Sequence, residues 1–441
     1  MRTTMRKHFR RRPDTNFVRL SLVCVATTAA VLGLAACGGS HAGAADGGTD
    51  GVSSKQILIG TTQSLTGPAA SGFSTYPAAA QAYFDYVNSK GGINGRSIKM
   101  IVKDDQYNPS QTVTATRQLV LRDKVFMMFA QLGTPTAAAV QSFLNSSKVP
   151  QLFITAGCCF NNPKKFEYST PWQLEYTSES RILATYVMQK YATDTVGYLV
   201  QNDDFGSSFT EGADAVFPKE KVVSRQTYNP AAIASGMRNQ VQALKSSGAK
   251  VVLLGTIPAA TAQTLLAAQQ IGYQPVWVSG VAGSAPNAVA PLLDKAPGGA
   301  KALLSGMVTD ATLPSPYDTS DPWNALFSKI LADNGHGLTL NPITQQAMAE
   351  AVTLVDLLRA AGKDLTRESI MKTLRTKSAS FAGPWIGPLK YSADDYSGLT
   401  TSRIAIDTDG ASLTAVGDAY EVMADGSVHK RDYVAPTPPQ S

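Results

Sequence analysis

The chain has 441 residues, 39 Lys and Arg against 33 Asp and Glu, and a formal charge of +6. Seven of the bases and one acid (Asp14) precede Cys37, so the remainder carries 32 of each and is neutral. A neutral body of about 400 residues argues against nucleic acid as a partner and implies two or three domains rather than one core.

The first segment reads as an export signal. Arg2, Arg6, Lys7, Arg10, Arg11, Arg12 and Arg19 form a basic stretch, and an apolar run follows over 20–36. That run is short of the ~20 residues a spanning helix needs and suits a signal-peptide core. It ends in Leu34-Ala35-Ala36-Cys37, which resembles the lipobox of bacterial lipoproteins. The resemblance implies cleavage before Cys37, lipidation of its thiol, and a protein anchored on the outer face of the cytoplasmic membrane. An ordinary signal peptide with a chance cysteine is the plainer alternative. The Arg run also suggests twin-arginine export, which Pro13-Asp14-Thr15 fits poorly. Residues 37–54 read as a Gly/Ala/Ser/Asp-rich tether, and no later apolar run has spanning length.

From residue 56 short β-branched runs alternate with helical periodicity. Strands are expected at 57–60, 98–102, 125–130 and 150–154, and helices at 78–89, 109–122 and 136–145. The rhythm stops over 157–177 and restarts with strands at 196–200, 222–226, 251–254 and 276–279. Helices at 209–216, 233–246 and 260–271 lie between them. This alternation signifies βαβ units and parallel sheets. After Met307 come a polar loop, helices starting at Asp321-Pro322 and covering 343–360 and 365–374, then strands at 387–391 and 403–406. Helices followed by strands so late imply that the chain returns to each lobe across a hinge. Residues 433–441 read as a disordered tail.

Ligands of parallel sheets sit beyond the strands' carboxyl ends, so the loops there carry the candidate site. Ser64 lies in Ser64-Leu65-Thr66-Gly67-Pro68, which also reads as an ordinary turn. Gly133 and Thr134 precede Pro135 at a helix start, where free amides and the dipole attract a carboxylate; a plain cap is the alternative. Ala156, Gly157, Cys158 and Cys159 form a third loop. The adjacent cysteines are either a strained vicinal disulfide or two thiols. With Cys24 assigned to the leader and Cys37 to the lipid site, they leave no disulfide framework and no four-cysteine zinc site. Asp204 and Phe205, in Gln201-Asn202-Asp203-Asp204-Phe205-Gly206, present a carboxylate and a ring, or merely cap a helix.

Ser64-Leu65-Thr66-Gly67-Pro68, Gly91-Gly92-Ile93-Asn94-Gly95-Arg96, Asp104-Asp105, Leu132-Gly133-Thr134-Pro135-Thr136, Lys148-Val149-Pro150, Gln201 to Gly206 and Gly387-Pro388-Leu389 occur in one order. Together they resemble the branched-chain-amino-acid-type substrate-binding proteins of ABC transporters. The resemblance implies the type I periplasmic binding protein fold: two Rossmann-like α/β lobes with parallel central sheets joined by a three-crossover hinge. The lobes are expected at 55–175 plus 310–383 and at 176–309 plus 384–432. It implies capture of a small polar metabolite by hinge closure. The class is a hydrophobic or branched-chain amino acid, or a related small organic carboxylate or amide. It further implies a monomer that partners an ABC permease and its ATPase subunits.

By the same resemblance, groups at Thr134, Gly157 and Cys159 hold a ligand carboxylate, Phe205 stacks on the ligand, and Phe73 walls the pocket. Val281 marks a departure. Relatives carry a Glu after the strand at 276–279, for the ligand ammonium, where this chain reads Ser279-Gly280-Val281-Ala282-Gly283. The Tyr that relatives carry after the strand at 251–254 is also missing. Either Asp203 or Asp204 substitutes, or the ligand lacks an α-ammonium. A sensor presenting its ligand to a membrane receptor or kinase is the alternative function. No cofactor or metal is expected. An enzyme is disfavoured, because His41, His336 and His429 stand in tether, turn and tail contexts and no nucleophile elbow or phosphate loop occurs in context.

Overall fold

The computed structural model describes residues 49–432 and 437–438. The expected signal segment, Cys37, most of the tether and most of the tail lie outside the described residues.

The first lobe is built by β1 (Gln56–Gln63), α1 (Ala70–Phe73), α2 (Tyr76–Ser89), β2 (Ser97–Asp104), α3 (Pro109–Arg117), β3 (Met127–Phe129), α4 (Thr134–Ser146), β4 (Gln151–Ile154) and β5 (Ser169–Pro171). Its five strands are parallel in the order β2-β1-β3-β4-β5. β3 and β4 are buried at every residue, which is why they read as unbroken apolar runs: helices cover both faces of a parallel sheet. The helix expected over 109–122 changes pitch at Gln118. A wider turn over Gln118–Arg122 tucks Leu119 and Val120 into the core.

The second lobe begins with α5 (Tyr176–Lys190), a helix the sequence reading missed. β6 (Val196–Gln201), α6 (Asp204–Asp214), β7 (Val222–Tyr228), α7 (Arg238–Ser246), β8 (Val251–Gly255), α8 (Pro258–Gln270) and β9 (Val276–Ser279) follow. Then come α9 (Val281–Ser284), α10 (Pro286–Leu293), α11 (Gly299–Leu304) and β10 (Val308–Ala311). α12 (Pro322–Asn334), α13 (Pro342–Ala361) and α14 (Arg367–Lys377) return to the first lobe, where α12 and α13 pack on α2. β11 (Thr401–Asp407), β12 (Leu413–Val422) and β13 (Val428–Arg431) complete the second sheet, in the order β13-β12-β11-β10-β9-β8-β6-β7. Its strands from β7 to β10 are parallel, and the last three add an antiparallel edge.

The chain passes between the sheets three times: after β5, after β10 and before β11. The last passage lies near Leu399, later than the expected boundary at 383. Over 384–399 the chain still packs on the first lobe: Trp385 stands edge-on to Trp172 at 6.3 Å, the Tyr391 hydroxyl donates to the Pro171 carbonyl at 2.6 Å, and the Leu399 amide donates to Trp172 at 3.0 Å. The strand expected at 387–391 reduces to one bridge, Lys390 to Gly398.

In both lobes the first strand lies between its two successors, in the orders 2-1-3 and 7-6-8. That reversal opens a crevice at the strands' carboxyl ends. The two crevices face each other, and α1 bridges them. Gly72 lies so close to α8 that an added Cβ would stand 2.8 Å from Pro258. One apolar cluster therefore runs through Ala69, Phe73, Ile257 and Ala288. This is a closed arrangement of the lobes.

Candidate functional site

A cavity of about 50 Å³ lies where the crevices meet. Phe73, Tyr107, Leu132, Gly133 and Thr155 line it from the first lobe; Gln173 and Tyr176 from the first passage; Phe205, Ile257, Val281, Ala282, Ser284 and Ala285 from the second lobe. Pro342, Ile343 and Gln346 close it from α13, and Leu413 from β12.

The aromatic wall is fixed by packing. Phe205 and Tyr176 stack with ring centroids 4.4 Å apart and tilted by 44°, and both are buried. The loop before α6 is set by Asp203, which caps the helix by accepting from the Phe205 and Gly206 amides at 3.0 and 3.4 Å. Gln201 joins the loops: its amide nitrogen donates to the Tyr107 hydroxyl, and its oxygen accepts from the Tyr228 hydroxyl at 2.9 Å. Tyr228 in turn accepts from the Ile257 amide at 3.1 Å.

The amide donors come from helix starts. α4 begins after Gly133 and α8 after Ile257; both carry Pro in the first turn, and neither has a side-chain cap. Pro135 and Pro258 bring no N–H, and the Ala260 amide already donates to the Ile257 carbonyl at 2.9 Å, so the Thr134 and Thr136 amides of α4 and the Ala259 amide of α8 are the first-turn donors left without a helical partner. Gly133 is required there. Its φ is +92°, and a side chain would strike the Tyr107 ring. α13 also starts at the cavity, but its amides are spent in an Asn341 capping box. Among the described residues, no Asp, Glu, Lys or Arg lines the cavity.

Two buried carboxyl groups lie directly behind it. Glu350 accepts from the Thr155 hydroxyl at 3.1 Å and from the Gln346 amide at 3.2 Å. Burial pushes its carboxyl up to about 8, although bonds from Tyr76, Gln346 and Thr155 pull the other way. Burial thus favours the neutral form of Glu350 and weakens the charge behind the cleft. Glu179 holds the Val281 amide at 2.6 Å and abuts Asp310; burial and that neighbour hold Glu179 well above the usual carboxylate range.

Of the residues singled out in the sequence, Phe73, Gly133, Phe205 and Val281 reach the cavity. The others do not line it. Thr134 is buried at the start of α4, where its hydroxyl accepts from the Cys158 thiol at 3.8 Å. Gly157 turns its carbonyl to the Tyr176 amide at 2.6 Å. Ala156 is core, packed with Ala137, Ile154 and Phe160. Ser64 is fully buried and donates to the Thr66 carbonyl at 2.8 Å, serving the turn. Asp204 does not face the cleft. It lies exposed in the first turn of α6, because its neighbour Asp203 takes the cap. Cys158 and Cys159 are free thiols rather than a disulfide. Cys158 is buried and Cys159 exposed at φ +72°. The hydrogen bond between them lowers the Cys159 thiol and raises that of Cys158.

Tyr107, Tyr176, Gln346 and Leu413 escaped the sequence reading. The Asn341-Pro342 start of α13 was a readable signal for its position. Leu413 had none, because an antiparallel strand brings it in. Among the described residues, no group of His, Cys, Asp and Glu could hold a metal, and no helix is long and apolar enough to cross a membrane.

Residues 56–406 match the family profile described as periplasmic binding protein. The Leu/Ile/Val-binding protein homolog 3 of Brucella melitensis is 24% identical over 199 residues, covering 45% of this chain and 54% of that protein. The chain spans about half the length of the curated relatives it matches. A branched-chain amino acid ABC transporter protein from Thermus thermophilus with bound valine superposes with a TM-score of 0.72 at 16% identity, covering 84% of this chain and 97% of that one. A fatty acid ABC transporter substrate-binding protein from Thermomonospora curvata gives 0.72 at 21%, covering 85% and 94%. The chain belongs to the periplasmic binding protein family and has its type I fold.

Proposed function

We propose that this chain is the extracytoplasmic substrate-binding lipoprotein of an ABC importer, anchored through Cys37, and that it captures a small organic acid between its lobes. The ligand joins a carboxylate to an apolar body and lacks an ammonium. One observation carries the ligand class. Two uncapped helix starts, α4 and α8, meet at a cavity whose walls are mostly apolar and bear no acidic or basic side chain among the described residues. Helix starts favour an anion, and the apolar rings favour the rest of the molecule. An ammonium would find no carboxylate on the wall, and burial favours the neutral form of the two behind it, Glu350 and Glu179. Valine and fatty acids, named for two structural neighbours, share the carboxylate and the apolar body.

The test is a thermal-shift screen of the soluble chain from Gly51 against amino acids, short and aromatic carboxylates, and the matching amides. A ligand at a hundred times its dissociation constant stabilises the fold by about 2.7 kcal/mol. The expected hits are carboxylates without an ammonium. Stabilisation by leucine-like amino acids alone refutes the ligand class, and no stabilisation by any compound refutes the small-acid reading.

A further inference from the structure

The cavity is too small for such a ligand by itself. A water-sized group needs about 10–15 Å³ of this kind of space, so about 50 Å³ holds only three to five such groups. A second compartment of about 50 Å³ adjoins it. The two share Val281, Pro342, Gln346 and Leu413, so Leu413 stands at their junction.

The outer compartment runs under the second passage between lobes. Leu313 and Pro314 roof it, and Ala405 of β11 and Ala415 of β12 form its wall. These alanines are paired in register, so two methyl groups stand side by side where larger chains would fill the space. Gln345 and Ser315, beside it, are already engaged. The Gln345 amide donates to the Pro314 carbonyl at 2.9 Å and to Asn324 at 2.7 Å. The Ser315 hydroxyl donates to the Leu413 carbonyl at 2.8 Å. Asp310 contributes backbone only. It pairs with Ile404, which packs on the α5 side of the sheet, and its carboxyl meets Glu179 of α5. Side chains alternate across a strand, so Ala405 and Ala415 lie on the face opposite to that carboxyl.

We infer that the ligand spans both compartments, its carboxylate at the α4 and α8 starts and an apolar chain passing Leu413 into the outer space. Their combined room fits a slender acid of about seven to ten non-hydrogen atoms. This rests on the carboxylate reading above. Ala415 and Leu413 are then the residues that set chain length.

Isothermal titration of wild type, Ala415→Phe and the milder Ala415→Val with acetate, butanoate, hexanoate and octanoate tests it. Wild-type affinity is expected to rise roughly tenfold for every two methylenes from butanoate to hexanoate or octanoate. Ala415→Phe removes the gain beyond butanoate and leaves acetate, which the inner cavity holds alone, within twofold; Ala415→Val removes part of the gain. Circular dichroism checks that each variant is folded, and the Val variant carries the test if the Phe variant is not. The inference falls if the chain-length dependence is the same in wild type and a folded variant, or if wild-type affinity stops rising at butanoate. Binding by no acid of any length fails differently: it removes the carboxylate reading and the inference with it.

Discussion

Glu350→Gln isolates the buried carboxyl behind the cleft. The ordinary glutamate value is 4.5, and burial raises it to about 8 in the fold. A raised carboxyl binds its proton more tightly in the fold than in the unfolded chain. Its contribution is therefore fully present below pH 4.5 and is lost as the pH rises through about 8. Each pH unit in that window is worth about 1.4 kcal/mol, so the total loss approaches 5 kcal/mol. Glutamine keeps the neutral shape: its oxygen accepts from Gln346 and its nitrogen can donate toward Thr155 or Tyr76. The variant is expected to match wild type near pH 4 and to gain stability steadily up to pH 8, exceeding wild type by at least 2 kcal/mol there. Urea unfolding of both proteins at four pH values measures the difference, and other titrating groups cancel. Parallel stability profiles would refute the assignment of a neutral Glu350.

Phe205→Ala removes the ring stacked on Tyr176 at the cleft wall and is expected to weaken ligand binding at least tenfold by titration calorimetry. Asp204→Ala changes an exposed side chain and is expected to leave affinity within twofold; a large loss would place Asp204 in the site after all. Gly212→Ala puts a methyl group against the Thr177 carbonyl and Ser180 hydroxyl of α5. Overpacking of that kind costs about 1–3 kcal/mol, read as a lower urea midpoint; an unchanged midpoint would contradict the close α5–α6 contact. Cys37→Ser is expected to move the protein from the membrane to the soluble fraction, and retention in the membrane would overturn the lipid anchor.

The alternating βα rhythm was legible because strands buried on both faces keep an apolar signature that survives without tertiary context. β6 and β8 are buried at every residue. α5 was missed because its buried side includes Glu179 and Ser180 beside Ile182 and Leu183, which blurs the apolar stripe. β12 and β13 were missed because an exposed antiparallel edge carries Thr, Asp, Glu and Lys along its length. The site divides along the same line. Gly133 and Phe205 sit in loops that follow parallel strands, where topology alone places ligands. Tyr176 reaches the cleft from the start of α5, Gln346 from α13 and Leu413 from a late strand, so only tertiary structure brings them there. The Asp203-Asp204 pair shows a finer limit. Which acid caps α6 depends on the extended backbone of Asp203, at φ −159°, and residue type does not specify it.

The most direct test of the central claim is calorimetric titration of the soluble chain with the best carboxylate and with its primary amide. The two have nearly the same shape, but only the acid carries the charge that the uncapped starts of α4 and α8 attract. The account predicts that the acid binds at least tenfold more tightly than the amide at pH 7. Equal binding of the two, or tighter binding of the amide, would contradict it.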